Sequence, residues 1–340
     1  IPSTATTLYI PNTADAIHDG KIAAGQQLKT TTDDLSNIFT QLNGVDHIKS
    51  VVFSQNLYTS GDDSALHVTY GSPYLWMNKA TQLESIDVRG LDTSSINNMQ
   101  GTFMNMPNLK SIILGGHFTT ARVTSMNQMF NGDTQLSSID VTKLQMGSVA
   151  DIGAMFWKCS SLPAETDFSS WDTHSLASAV NFLYMTNVQK VNITGWNTVN
   201  LTNSRNALPI YPGTTNDRGQ RFHAGLIVIA KQTANANYSN LTSETFGQHL
   251  QGTPLVIISD VPNASEAFSQ IWYTNVPRIS GQGNNIAYAN YGSVQFPVVY
   301  DSADTVLTKL NQVLGEATSD NSYQAVYPKY VLITKNGNDN

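Results

Sequence analysis

The stretch Leu83-Glu84-Ser85-Ile86-Asp87-Val88 decides how the chain is read, because it comes back. It recurs as Leu109-Lys110-Ser111-Ile112-Ile113-Leu114 and as Leu136-Ser137-Ser138-Ile139-Asp140-Val141. A looser copy is Val188-Gln189-Lys190-Val191-Asn192-Ile193, and a degenerate one starts at Leu162. The starts at 83, 109, 136, 162 and 188 lie 26, 27, 26 and 26 residues apart. A fixed period of this size marks stacked repeat units.

Further columns keep the same phase. An apolar residue follows each strand motif at Leu91, Phe118, Leu144, Trp171 and Trp196, and a second column holds Ile96, Val123, Val149, Leu176 and Leu201. Then comes a pair spaced i and i+4: Met99 with Phe103, Met126 with Phe130, Ile152 with Phe156, and Val180 with Tyr184, the last one residue out of phase. That spacing places both members on one helix face. Each unit therefore reads as a short strand, a polar turn and about two turns of helix. A single unit cannot bury its apolar side, so at least about three must stack. The expectation is an α/β fold, with a parallel sheet on one side and helices on the other. The spacing alone also allows an all-β coil, but Met-x-x-Met-Phe suits a helix better. Leu35 to Phe39 and Tyr74-Leu75-Trp76 read as earlier helical segments, and 30–53 as an N-terminal cap or first imperfect unit.

These columns resemble the BspA-type leucine-rich repeats of bacterial surface proteins. The third unit matches at Leu136, Ile139, Asp140, Val141, Leu144, Val149, Ile152, Met155, Phe156, Cys159 and Leu162; the first at Leu83, Ile86, Asp87, Val88, Leu91, Asp92, Thr93, Ile96, Met99, Phe103 and Leu109. The match covers roughly residues 30–208. It departs from the pattern at Pro163, where an extra residue precedes Asp167-Phe168, and after Asn203, where the Met-Phe signature is lost. The resemblance implies a leucine-rich-repeat solenoid. It also implies a cell-surface adhesin of lactobacilli or related Gram-positive bacteria, anchored to the cell wall through a part absent from this chain. Its expected partners are host mucus or mucin, the epithelial surface, or an extracellular-matrix glycoprotein.

From Leu208 the character changes. A connector rich in Pro, Gly and Asn runs through 209–224. Beyond it, apolar runs without the period read as strands: Gly225 to Ala230, Pro254 to Ser259, Val294 to Tyr300 and Lys329 to Thr334. Ser243 to Gln251 and Ser302 to Leu314 read as helices, the second with Ser302 as its cap. The expected division is 1–45, N-terminal segment and cap; 46–208, repeats; 209–224, linker; and 225–340, a mixed α/β region. The first two strands of that last region would extend and close the repeat sheet, and the part from about 285 would form a small module. The segment 297–304 resembles a module found downstream of repeats in lactobacillus surface proteins.

Composition narrows the function. The chain has 340 residues and a formal net charge of −7, with only 13% charged residues, against about 25% in an average soluble domain. Asn, Thr, Ser and Gln take their place. The 18 Lys and Arg are scattered, so nucleic acid is not an expected partner. No apolar run is long enough to span a bilayer. Ile1-Pro2-Ser3-Thr4 and Gly337-Asn338-Asp339-Asn340 read as the ends of a piece cut from a longer protein. The single cysteine, Cys159, leaves no internal disulfide or cysteine-rich metal site.

No motif for catalysis stands out. The seven histidines show no metal-ligand spacing, and G-x-S-x-G, P-loop and dinucleotide patterns are missing. Neither a cofactor nor a metal is expected, and binding rather than catalysis is. Cys159, Trp171 and Trp196 fall in core columns. The candidate ligand-binding residues are the outward strand positions Ser85, Ser111, Ser138 and Lys190, and Asp87, Asp140 and Asn192. Trp157 joins them; it follows core Phe156 where neighbouring units carry Met104, Asn131 and Met185, which points it outward or only partly inward. Rungs about 4.8 Å apart would display these groups in regular array, suited to a glycan or a polar protein surface. Ca²⁺ would need converging carboxylates and carbonyls, but no Asp-x-Asp-x-Asp loop appears. Stacked carboxylates would raise one another's pKa and favour adhesion at acid pH. The alternatives are a lectin-like glycan-binding module and a carboxylate hydrolase in 225–340. Five Asn-x-Ser/Thr sequons, Asn192 among them, carry no weight in so Asn-rich a chain.

Overall fold

Ile86, Ile112 and Ile139 lie beneath one another on successive parallel strands, in register, and the rest of the architecture follows from that alignment. The computed structural model describes residues 4–41, 44–54, 65–74, 76–77, 80–188, 190–193, 195–205 and 207, together with strands at 226–229, 255–259, 295–296 and 330–334. The expected helices at 243–251 and 302–314, the 209–224 connector and the 297–304 segment lie outside these residues.

The elements, in chain order, are β1 (Thr7–Ile10), α1 (Thr13–His18), β2 (Lys29–Thr30), α2 (Thr32–Gln41), β3 (Ser50–Phe53), β4 (Leu66–Val68), β5 (Ser85–Asp87), β6 (Leu91–Asp92), β7 (Ser111–Ile113), β8 (Ser138–Ile139), β9 (Glu165–Asp167), β10 (Lys190–Asn192), β11 (Leu226–Ile229), β12 (Leu255–Ser259), β13 (Gln295–Phe296) and β14 (Tyr330–Thr334). All named strand pairs are parallel. One sheet runs β1-β3-β5-β7-β8, a second β13-β14-β12-β11-β10-β9, and a third β2-β4-β6. The fold is α/β with few helices. Each of the four apolar runs expected as strands beyond 224 contains a described strand; the first pairs onto β10 and the second onto the first.

The array starts earlier than its period suggests. Ser50–Phe53 pairs with β5, and Thr7–Ile10 pairs with β3. The long links between these early strands hold the two helices. In α2, Leu35 and Phe39 are fully buried, one turn apart on one face. Thr31 and Asp34 close its N-terminus: the Asp34 amide donates to the Thr31 hydroxyl at 3.0 Å, and the Thr31 amide donates back to the Asp34 carboxylate at 3.2 Å. Tyr74 and Trp76, expected to be helical, sit in turns instead.

The repeated Met-x-x-Met-Phe segments form no helix. They run as consecutive tight turns in which every second amide bonds to the next repeat. Met99, Gly101, Phe103 and Asn105 donate to the carbonyls of Ser125, Asn127, Met129 and Asn131 at 2.8–2.9 Å. Met126, Gln128, Phe130 and Gly132 donate in turn to Asp151, Gly153, Met155 and Trp157, again at 2.8–2.9 Å. A helix would close these amides onto its own carbonyls four residues back. Here every fourth residue takes a positive φ and breaks that pattern: Gly101 and Asn105, Gln128 and Gly132, Ala154 and Lys158, Asn181 and Met185. The i, i+4 apolar pairs still reach the core; Met99, Phe103, Met126, Phe130, Ile152 and Phe156 are all fully buried. In the fourth unit the in-phase pair is Ala179 and Leu183, both fully buried. Val180 and Tyr184, read one residue out of phase, are half-buried.

The core is an aromatic pile. Phe103 stacks on Phe130 at 5.6 Å, and Phe130 on Phe156 at 5.1 Å, nearly coplanar. Trp171 stacks on Trp196 at 6.2 Å. Each ring packs on its copy in the next repeat, so burial is shared rather than local. Both tryptophans lie in the core, as expected, and their indole N–H groups bond carbonyls of the preceding repeat: Trp171 to Val141 at 2.9 Å, and Trp196 to Phe168 at 3.0 Å. The first of these spans a fault, because β8 and β9 belong to different sheets. That fault falls at the irregular unit containing Pro163.

Candidate binding surface

Each repeat turns its corners with short polar side chains. After the strand, the amides of Arg89, Thr142 and Ser169 donate to the carboxylates of Asp87, Asp140 and Asp167 at 2.7–3.1 Å. After the next side, Ser94, His174 and Val199 donate to Asp92, Asp172 and Asn197 at 2.9–3.3 Å. At the third corner, Gln100, Asn127 and Gly153 donate to Asn98, Ser125 and Asp151 at 2.8–3.3 Å. A side-chain oxygen that accepts from the amide two residues on makes a self-contained turn. Buried threonines tie the corners together: the Thr93, Thr120 and Thr173 hydroxyls donate to carbonyls of the following repeat at 2.7–3.1 Å. The composition, poor in charge and rich in Asn, Thr and Ser, is thus explained by the corners.

This changes the standing of two candidates. Asp87 is mostly covered, and Arg89 grips it with two further bonds at 3.0 and 2.7 Å. That carboxylate in turn holds the Arg89 guanidinium above its usual pKa. Asp140 is exposed, and one of its oxygens takes both the amide and the hydroxyl of Thr142, at 3.1 and 2.6 Å. The rung between them carries Ile113, so no carboxylates of this column occupy adjacent rungs.

The serines are placed otherwise. Ser85, Ser111 and Ser138 face outward in register, and the row continues to Ser50 and Thr7, which the period did not reveal. Five hydroxyls stand across five parallel strands, about 4.8 Å apart. The Ser85 hydroxyl donates to that of Ser50 at 2.9 Å. Among the described residues, the Ser111 and Ser138 hydroxyls bond to no other group. Two residues along each strand, roughly 7 Å away, runs a second outward row: Tyr9, Val52, Asp87 and Ile113. Tyr9 is 70% and Ile113 45% exposed.

The charges flanking the sheet are paired, with one cation in excess. Glu84 lies between Lys110 at 2.7 Å and Lys49 at 3.2 Å, on neighbouring rungs. Lys110 foremost, then Lys49, hold its carboxyl below the usual range. Lys143 lies 3.9 Å from Asp140.

The remaining candidates are not brought to this face. Lys190 and Asn192 lie on β10, in register with Glu165 and Asp167 of the second sheet. The Lys190 side chain lies outside the described residues; Asn192 donates to Asp167 at 3.1 Å. Trp157 belongs to the turn side. It is half-buried, meets Tyr184 edge-on at 6.1 Å, and lies under the Lys158 ammonium at 5.2 Å. A pair the sequence did not flag sits on the third sheet: His67 Nδ1 lies 2.6 Å from an Asp92 oxygen. Burial alone would raise Asp92, but bonds from Ser94 and His67 outweigh it and hold the carboxyl below its usual range. No nucleophile joins this pair among the described residues, and no cluster of three or more His, Cys, Asp or Glu side chains there could hold a metal ion.

Cys159 is fully buried, its thiol donating to the Phe130 carbonyl at 2.9 Å. Its counterpart one repeat earlier is Asp133, equally buried; Asp133 Oδ1 accepts the Met106 amide at 2.8 Å, and Oδ2 has no partner among the described residues. Desolvation pushes both groups well up, and Asp133 adds to the rise at Cys159.

A family model described as "Mycoplasma protein of unknown function, DUF285" matches residues 75–196. No curated protein and no solved structure matches the chain.

Proposed function

We propose that this chain is the ligand-binding part of a bacterial cell-surface adhesin, built as a BspA-type leucine-rich-repeat solenoid. The stacked in-register strands and the family match over 75–196 support the repeat reading. The observation that carries the binding role is the outward hydroxyl row from Thr7 to Ser138. Its members at Ser111 and Ser138 bond to no other group among the described residues, and they stand on a scaffold whose corners are satisfied internally. Hydroxyls donate and accept with freely turning protons, so a row of them adapts to polar ligands without a buried charge. The ligands are host mucus, the epithelial surface or a matrix glycoprotein. Each contact is weak, and many copies on one cell multiply it.

The test is solid-phase binding of the full chain to mucin, to matrix glycoproteins and to epithelial cells. The comparison is a variant carrying Ser85→Val, Ser111→Val and Ser138→Val. β-branched residues suit strands, so this variant is expected to keep the fold, which thermal melting checks. Three lost hydrogen bonds cost at least about tenfold in affinity. Unchanged binding to every surface removes this face from the function.

A further inference from the structure

We propose that the occupant of this face is an extended, uncharged, β-linked polysaccharide lying along the hydroxyl row, across the strands. This rests on the surface reading above and names its ligand.

The period comes first. A row of hydroxyls repeating at about 4.8 Å calls for a ligand that repeats its own hydroxyls at nearly that step. An extended chain of equatorially β-linked sugars advances by about one rung per sugar and, its rings alternately flipped, still sets a hydroxyl of each sugar on a given edge. A globular partner offers such a period only by coincidence. A bound peptide strand would need backbone partners, and the amides beneath this face are already engaged in the sheet ladder.

The second row matches the rest of a sugar. A β-linked glycan has a hydroxyl edge and a flat C–H face. With its edge on Thr7, Ser50, Ser85, Ser111 and Ser138, the C–H face is offered to the neighbouring row, where Tyr9 and Ile113 at its first and fourth rungs are exposed. An exposed tyrosine ring suits such a C–H face.

The charge agrees. On a chain of net charge −7, the carboxylates at this sheet are all held by cations: Asp87 by Arg89, Glu84 by Lys49 and Lys110, and Asp140 beside Lys143. Four cations against three carboxylates leave one positive charge in excess, shared at Glu84; no carboxylate here is left unpaired, and a sulfated or sialylated ligand finds no cluster of free cations on this face among the described residues.

The test titrates the full chain with cello- and chito-oligosaccharides from disaccharide to hexasaccharide, read by calorimetry, with malto-oligosaccharides as the α-linked control. Affinity is expected to rise with length up to about five sugars, the span of the row, and then level off. The α-linked series is expected not to bind. The double variant Ser111→Val, Ser138→Val is expected to lose about tenfold on the longest ligand. Ser111→Thr with Ser138→Thr, which keeps both hydroxyls, is expected to restore it. Thermal melting of each variant separates loss of binding from loss of fold. Binding that ignores length or linkage, or survives the valine variant, overturns the inference. Binding to mucin or matrix protein that needs these serines, while no oligosaccharide binds, also overturns it but leaves the adhesive surface standing. If neither kind of ligand responds to the serines, both readings fall.

Discussion

Replacing Asp133 by asparagine should stabilise the protein at neutral pH and flatten its pH dependence. Asp133 is fully buried, with one oxygen bonded to the Met106 amide and the other unpartnered among the described residues. Burial therefore favours the neutral acid, and its pKa in the folded chain lies well above the usual value, whereas unfolding returns it to about 3.9. Between those two values the folded state holds a proton that the unfolded state has released. Stability is then full below the unfolded value and declines as pH rises toward the folded one, by up to about 1.4 kcal/mol per pH unit. From pH 5 to pH 7 the ceiling is about 2.7 kcal/mol for this single proton. Asparagine keeps the acceptor for Met106, has nearly the same shape, and has no proton to lose. Urea unfolding of parent and Asp133→Asn, followed by circular dichroism at steps from pH 4 to pH 8, isolates the effect, since every other titrating group cancels in the difference. The variant's advantage should grow with pH. Two parallel curves would show that Asp133 is ionised in the fold at no cost, and the desolvation reasoning would fail.

Three other outcomes are expected. Phe130→Ala removes a fully buried ring sandwiched between Phe103 and Phe156 and should cost about 3–5 kcal/mol in denaturant unfolding. Gly90→Ala would put a methyl group 2.0 Å from the Ser54 carbonyl; the two backbones must part, so the melting temperature should fall by several degrees or more. The Cys159 thiol is buried and held protonated, so an aromatic disulfide reagent should label it only once the chain is unfolded.

Much of the fold was legible because repetition amplifies weak signals. Ile86, Ile112 and Ile139 announce one column together, although none does so alone. The columns headed by Leu91 and Ile96 were read correctly for the same reason. The helix was misread because an i, i+4 apolar pair does not distinguish a helix from tight turns in series. Phe130 and Met126 reach the core either way. The distinguishing signal was backbone handedness, and only Gly101 and Gly132 hint at it; Asn105, Gln128, Ala154 and Lys158 take positive φ without advertising it. The stabilisation of those turns comes from amides in the next repeat, which no single-segment propensity contains. The first rungs, Thr7–Ile10 and Ser50–Phe53, escaped because helices inserted between them break the spacing. The hydroxyl row was half visible, as Ser85, Ser111 and Ser138. The acidic positions beside it misled, since an outward aspartate at the end of a strand is also what a self-closing corner needs.

The fault between β8 and β9 has a mechanical meaning. Along the strand side the ladder of amide bonds is interrupted there, while on the turn side the Asp151–Ser178 bridge and its neighbours continue across it. A stack stitched continuously on one flank, and tied on the other by the Trp171 indole in place of a strand ladder, is weakest at that seam. Under load the repeats on either side would part there before any other pair.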